Sequence, residues 1–167
     1  SILPKDIAIY DLFPVDNETH TRFDAISRTY EYVISQEKNP FSQGLAYHFN
    51  RPLDLEKMNE AAKHFLEVED FSSFSKSGTQ VKTNICNVTQ AQWEKDGKTL
   101  KFTITANRFL RNMVRAVVGT LMEVGLEKIN LEEFKNIVAS RNRSNAGYSV
   151  PAEGLFLVKV EYPKTIL

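Results

Sequence analysis

A chain of 167 residues, 42% hydrophobic and 25% charged, has the composition of an ordinary globular protein, long enough for one sizeable core and crowded for two. Its 21 basic and 21 acidic residues cancel, which removes any global electrostatic argument for nucleic acid, and the single cysteine, Cys86, excludes an internal disulfide or a cysteine-rich zinc site. No apolar run approaches the roughly 20 residues of a membrane span and no signal peptide is visible, so the reading is a reducing, cytoplasmic setting with Cys86 as a small strand residue.

The charges are unevenly placed. Acid is dense from Asp54 to Asp70, whereas Lys98, Lys101, Arg108, Arg111 and Arg115 form a run without acid, and Lys135, Arg141 and Arg143 form a second. The chain starts at Ser1 and enters structure almost at once, which fits a segment cut from something longer or a processed start.

Taken in order, Ile7 to Leu12 reads as a short strand after Pro4. Arg28 to Ile34 follows as a second strand, rich in aromatic and β-branched residues. Alternation puts Arg28, Tyr30, Tyr32 and Ile34 on one face. The tyrosines read either as core residues with hydroxyls at the rim or as an aromatic platform beside a cation.

Asn39 to Pro52 is a loop crossed by one apolar piece, Leu45 to Phe49, and His48 has no metal-ligand partner at suitable spacing. Asp54 caps a helix from Leu55 to about Glu67, buried along Met58, Ala61, Ala62, Phe65 and Leu66. His64 lies beside that stripe. Asp70 to Phe74 has neither helical nor strand period, and Ser75 to Gln80 is a loop.

Two β-like runs, Ile85 to Glu94 and Thr99 to Ala106, flank Asp96-Gly97, a hairpin signal. Leu100, Phe102, Ile104 and Ala106 alternate with Lys101, Thr103 and Thr105, as a sheet covered on one face requires. Asn107 to Gly125 reads as one helix of about four turns, with Gly125 as a left-handed cap. Its stripe is Leu110, Met113, Val114, Val117, Leu121 and Val124. Its opposite side runs from Arg108, Arg111, Asn112 and Arg115 into Val118, Gly119 and Met122. Arg115 therefore stands where a polar face meets a buried turn, and an arginine there needs a carboxylate or phosphate partner. No acidic residue occurs from Gly97 to Met122, so that partner is not local.

A second helix, capped by Asn130 with Glu133 at the third position, runs to about Ser140 on a stripe of Leu131, Phe134, Ile137 and Val138. Arg141 to Ser149 is a polar connector. Leu155 to Tyr162 is almost continuously apolar, which suits a central strand covered on both faces. The elements make an α+β fold over residues 1–167, a mixed and largely antiparallel sheet with helices packed on one face.

There is no glycine-rich phosphate loop, no paired-histidine metal helix, no nucleophile elbow and no convincing nucleophile–base pair. What remains is a cationic helix end, a tyrosine-bearing strand and a basic connector, a surface suited to phosphates and a stacked base.

Here the motifs bring a family into view. Arg28-Thr29-Tyr30-Glu31-Tyr32, Asp70-Phe71-Ser72-Ser73-Phe74, Phe109 to Arg115 with Val118-Gly119-Thr120-Leu121, and Arg141 to Ala146 with Pro151-Ala152-Glu153-Gly154-Leu155-Phe156-Leu157 resemble the tRNA pseudouridine synthase A family. Leu3 to Ile7 resembles the segment that enters the family's C-terminal half. The resemblance covers essentially the whole chain. It implies conversion of uridine to pseudouridine in the tRNA anticodon arm, at positions 38 to 40, by a homodimer without cofactor or metal.

The family's nucleophile, an aspartate in Gly-Arg-Thr-Asp-Ala-Gly, is absent, so the resemblance implies a C-terminal half that is inactive alone and partners its own N-terminal domain. Tyr30 would be the active-site tyrosine, with Tyr32 on the same strand face as the alternative, and Arg115 would pair with the missing aspartate. Arg28, Arg108, Arg111, Arg141 and Arg143 would meet phosphates of the anticodon stem-loop. Asn84 departs from the family, which carries arginine there in many members. Phe109 reads as core. Two rival expectations stand beside this one: a stand-alone RNA-binding module, and a dimerisation or interaction domain.

Overall fold

Strand β1 (Ser27–Ser35) is the axis of the molecule in this computed structural model, which describes residues 2–76, 78 and 82–166. β4 (Thr99–Ala106) pairs antiparallel along its whole length, from Arg28 opposite Ala106 to Ser35 opposite Thr99. β3 (Val88–Asp96) extends the sheet beyond β4, through a hairpin whose Gly97 takes the left-handed φ of +55° that the Asp-Gly turn demands. The other side of β1 takes β5 (Leu155–Glu161) antiparallel and then the two-residue β2 (Tyr47–His48) parallel. The sheet is therefore mixed and largely antiparallel.

Alternation decides which face is covered. Tyr32, Ile34, Trp93, Leu100, Phe102 and Ile104 are buried beneath the helices, while Lys101 on the opposite face lies 3.4 Å from Glu31 and 3.5 Å from Glu94. On the covered face lie α1 (Leu55–Lys63), α2 (Met113–Gly125) and α3 (Leu131–Ala139). α1 begins on the Asp54 cap and buries Met58, Ala61 and Ala62. Its Asn59 both accepts from Trp93 N and donates to Trp93 O, which occupies the outer edge of β3. α3 carries the full capping box of Asn130 and Glu133 and buries Phe134 and Val138.

Several expectations change. Ile7 to Leu12 forms no strand. Its side chains are exposed and no described strand offers it a ladder, so β propensity has nothing to pair with. β5 is an edge strand and not a central one, because β4 already holds the other side of β1; Leu157 and Val158 are half exposed. The helix from Leu55 ends at Lys63 and tightens into a 3-10 turn (His64–Leu66) that buries Phe65 but leaves Leu66 exposed. Ile85 and Cys86 precede β3. Cys86 is fully buried beside it, and burial pushes its thiol up to about 11. The loop expected from 75 to 80 falls partly on 77, 79 and 80, and the start at Ser1 likewise lies outside the described residues.

The long helix also differs at both ends. It begins at Met113, because residues 107–112 carry the chain out of the sheet and onto its covered face. Asn107 still pairs with Asn87, and Asn112 turns the chain at a left-handed φ of 68°. Gly125 is helical and Glu127 is the left-handed residue instead (φ 56°). A Cβ on Gly125 would lie 2.4 Å from Met58 Sδ, so this glycine serves the crossing of α1 and not a cap.

Candidate active site

Eleven of the thirteen residues of α2 are buried, as a helix apolar on nearly all sides requires. Its one arginine, Arg115, is half-buried where the helix emerges from the core. What covers α2 there is a strap without regular structure, residues 146–151. Gly147 N donates to Thr120 Oγ1, and the Tyr148 carbonyl sits where a Cβ on Gly119 would be, 1.8 Å away. A Cβ on Gly147 would lie 2.9 Å from the Thr120 backbone, so the strap crosses the helix backbone to backbone.

The strap grips Arg115 at two points. Val150 N donates to Arg115 O at 3.2 Å, and Arg115 Nε donates to Val150 O at 2.5 Å. Neither Nη atom has a hydrogen bond or ion pair among the described residues, and Arg115 occurs in no ion pair with a described acid. The guanidinium is thus anchored by its inner nitrogen with its outer pair available, the geometry for a bidentate carboxylate or phosphate.

One residue further along the strap, Pro151 O accepts from Tyr32 Oη at 2.7 Å. Tyr32 is fully buried. Burial first, then the neighbouring Tyr47 and Tyr148, push its phenol well above the ordinary value of 10, against the opposing charge of Arg115. Tyr32 is thereby a core residue whose hydroxyl is already engaged. Tyr30, two residues earlier on the same face, is only half-buried. It meets Phe109 edge-on with ring centroids 5.0 Å apart, and stands opposite the half-exposed Leu157 of β5. Phe109, expected in the core, packs against it half-buried and also walls Tyr30. The two tyrosines left open by sequence therefore separate by burial. Tyr30 packs at the edge of the core beside Phe109, while Tyr32, on the same strand face, meets the strap that anchors Arg115.

The other cations divide into two groups. Arg28 reaches inward, donating to the carbonyls of Ala25 (2.8 Å), Asn107 (2.7 Å) and Arg22, which ties the N-terminal segment to the end of β4. Arg143 donates to Ala146 O, Gly147 O and Ser149 Oγ within the strap. Arg141 Nε lies 3.0 Å from Asp70 Oδ2. Burial disfavours the Asp70 anion, but hydrogen bonds from Ser72 and the Arg141 charge outweigh it and hold the carboxyl below its ordinary value. Arg108 and Arg111 carry guanidinium groups with no hydrogen bond or ion pair among the described residues, on the connector leading into α2. Beside Arg111, a groove of ≈ 520 Å³ is lined by Lys76, Lys82, Arg141 and Arg143 with serine and asparagine side chains between them. Asn84, also in that lining, donates to Ser72 Oγ. Among the described residues no group of three or more His, Cys, Asp or Glu is placed to hold a metal ion.

Sequence reasoning missed Asn112, Ser149, Val150 and Leu157. Only Asn112 carried a local signal, since asparagine tolerates the left-handed region; the others depend on what crosses α2 or pairs with β1.

The sequence model of the tRNA pseudouridine synthase family matches residues 61–163. Among curated proteins named tRNA pseudouridine synthase A, the chain is 50% identical to that of Parabacteroides distasonis over 165 residues and 51% identical to that of Bacteroides fragilis over 166. In both cases the match covers 99% of this chain and 66% of the relative. Against the protein of Bacillus subtilis identity is 37% over 164 residues, covering 97% of this chain and 66% of the relative. The chain thus spans just under two thirds of the length of the curated relatives it matches.

Proposed function

The chain belongs to the tRNA pseudouridine synthase family, and from that premise we propose that it is the C-terminal part of an enzyme that isomerises uridine to pseudouridine at positions 38 to 40 of the tRNA anticodon arm. The observation that carries this reading is Arg115: a guanidinium held by Val150 O, with its outer nitrogens unpaired among the described residues and no ion pair to a described acid. Its partner is the nucleophilic aspartate on the part of the protein that this chain does not contain. A guanidinium beside that carboxylate favours its ionised form and fixes its direction. The aspartate then attacks the uridine and the N1–C1′ glycosidic bond breaks; the base turns, C5 bonds to C1′ as the aspartate is released, and C5 loses a proton while N1 gains one. Tyr30, flanked by Phe109 and Leu157, holds the base against an aromatic and apolar wall.

Arg108 and Arg111, together with the groove of Lys76, Lys82 and Arg141, take phosphates of the anticodon stem-loop; Arg143, although it lines that groove, turns its guanidinium to the strap instead. Arg28 makes the weakest contact of the set, because three backbone carbonyls engage its donors. The parent enzyme works as a cytoplasmic homodimer, and this chain alone lacks the nucleophile.

Pseudouridine formation on an unmodified anticodon stem-loop tests the reading. The 167-residue chain is expected to be inactive, and the full-length protein active. Arg115→Met in the full-length protein is expected to lower kcat on the order of 10² to 10³-fold, the range found for loss of one preorganised electrostatic contact. Wild-type rates from Arg115→Met would sink the assignment of Arg115, and activity of the chain alone would sink the missing nucleophile. RNA binding by the chain without any activity in the full-length protein would leave a binding module. No binding at any salt concentration would leave an interaction domain.

A further inference from the structure

We infer that Arg143 is a positioning residue for Arg115, acting through the strap at 146–151; the inference rests on the role proposed above for Arg115. The charge pattern of the sequence marks Arg143 as a phosphate contact, but three of its hydrogen bonds go to the strap. Nη1 donates to Ala146 O at 3.3 Å and Gly147 O at 3.0 Å, and Nη2 donates to Ser149 Oγ at 2.9 Å. Ser149 Oγ also accepts from Asn112 Nδ2, on the residue just before α2. The next strap residue is Val150, whose carbonyl holds Arg115 Nε and whose N–H reaches Arg115 O. Ser149 is therefore a knot joining Arg143, the start of α2 and the anchor of Arg115.

The strap has no ladder of its own, so its carbonyls depend on such side-chain donors. Without the Arg143 fork, the residues just before Val150 lose three hydrogen bonds and keep those of the Gly147 N–H and the Asn112 amide. Val150 N–H and the Tyr32 hydroxyl hold only the far end, so the Arg115 guanidinium loses its fixed direction. A displacement of about 1 Å in a group that orients a nucleophile costs on the order of 10²-fold in rate.

Ser149→Ala separates positioning from phosphate binding, because it removes the shared acceptor without touching any charge. In the full-length protein, Arg143→Gln and Ser149→Ala are each expected to lower kcat between about tenfold and 10²-fold. KM, tRNA affinity and its salt dependence stay unchanged, and the double variant is no worse than the more severe single one, as for residues in one network. If Arg143→Gln does not fold, Ser149→Ala alone carries the test. A silent Ser149→Ala, or an Arg143→Gln that weakens tRNA binding and reduces the salt slope by about one, overturns the inference in favour of a phosphate contact. Arg115→Met keeps the two claims apart. Full activity there removes the proposed role of Arg115, whereas an inactive Arg115→Met beside unimpaired Arg143→Gln and Ser149→Ala removes only the positioning role.

Discussion

From Gly119 to Gly125, α2 is fixed by contact. The strap backbone lies on Gly119, Met58 of α1 lies on Gly125, and Asp54 N donates to Gly125 O. From Arg111 to Arg115, on the connector and the first turn of the helix, hydrogen bonds do most of the fixing. Asn112 reaches Ser149, Arg115 holds Val150, and Lys76 N donates to Arg111 O. Contact of the first kind leaves no polar group over and no room for a substrate. The second kind fixes a guanidinium while its outer nitrogens remain open. One helix thus serves as core at one end and, in the proposed function, as a site at the other, and changes at the two ends should have different signatures.

The largest effect on stability is expected at the contact end. Gly119→Ala puts a Cβ 1.8 Å from Tyr148 O, so the strap must lift from the helix, and a loss of about 3 kcal/mol follows from overpacking. Urea unfolding would show it; a variant within 0.5 kcal/mol of wild type (the usual range for a surface change) would mean that the strap does not lie on the helix. At the other end, Asn112→Ala combines a left-handed backbone that alanine resists by roughly 1–2 kcal/mol with a lost hydrogen bond of about 1 kcal/mol. The same unfolding experiment should give about 2 kcal/mol for it.

Tyr32→Phe removes the hydroxyl from Pro151 O and should cost about 1 kcal/mol at neutral pH. It also carries a pH signature. Burial and the nearby tyrosines raise the folded phenol above 10, so the unfolded state ionises first. The contribution of Tyr32 is complete below pH 10 and declines above it, at up to about 1.4 kcal/mol per pH unit. Stability measured from pH 9 to 11 should therefore fall less steeply in Tyr32→Phe than in wild type, and equal slopes would place the hydroxyl in water. The smallest change is Arg111→Gln. It should leave stability within about 0.5 kcal/mol, while the salt slope of anticodon stem-loop binding drops by about one. An unchanged slope would remove Arg111 from the phosphate contacts.

Much of the frame was legible in the sequence. The alternation of Leu100 to Ala106, the Asp96-Gly97 turn, the Asp54 cap and the Asn130 capping box all name local structure, because each is decided by residues within a few positions of one another. The failures are equally instructive. Leu155 to Tyr162 reads as a central strand because apolar runs usually have cover on both faces, yet neighbours in space decide cover, and β5 has a neighbour on one side only. Gly125 reads as a cap because chain position suggests it, whereas the need for glycine comes from Met58 on another helix.

The same division holds for the site. Residue order alone places an arginine at the edge of a buried turn without a local anion, and puts Tyr30 and Tyr32 on one face of a strand. Tertiary structure distinguishes the tyrosines, since Tyr32 is fully buried with its hydroxyl on the Pro151 carbonyl, whereas Tyr30 packs half-buried at the edge of the core. It also separates the arginines. Arg28 and Arg143 turn to backbone carbonyls that chain folding brings to them, Arg141 turns to Asp70, and Arg115 keeps its outer nitrogens open. A guanidinium has five donors, and sequence shows that they exist; which acceptors lie within 3 Å is a property of the packed chain.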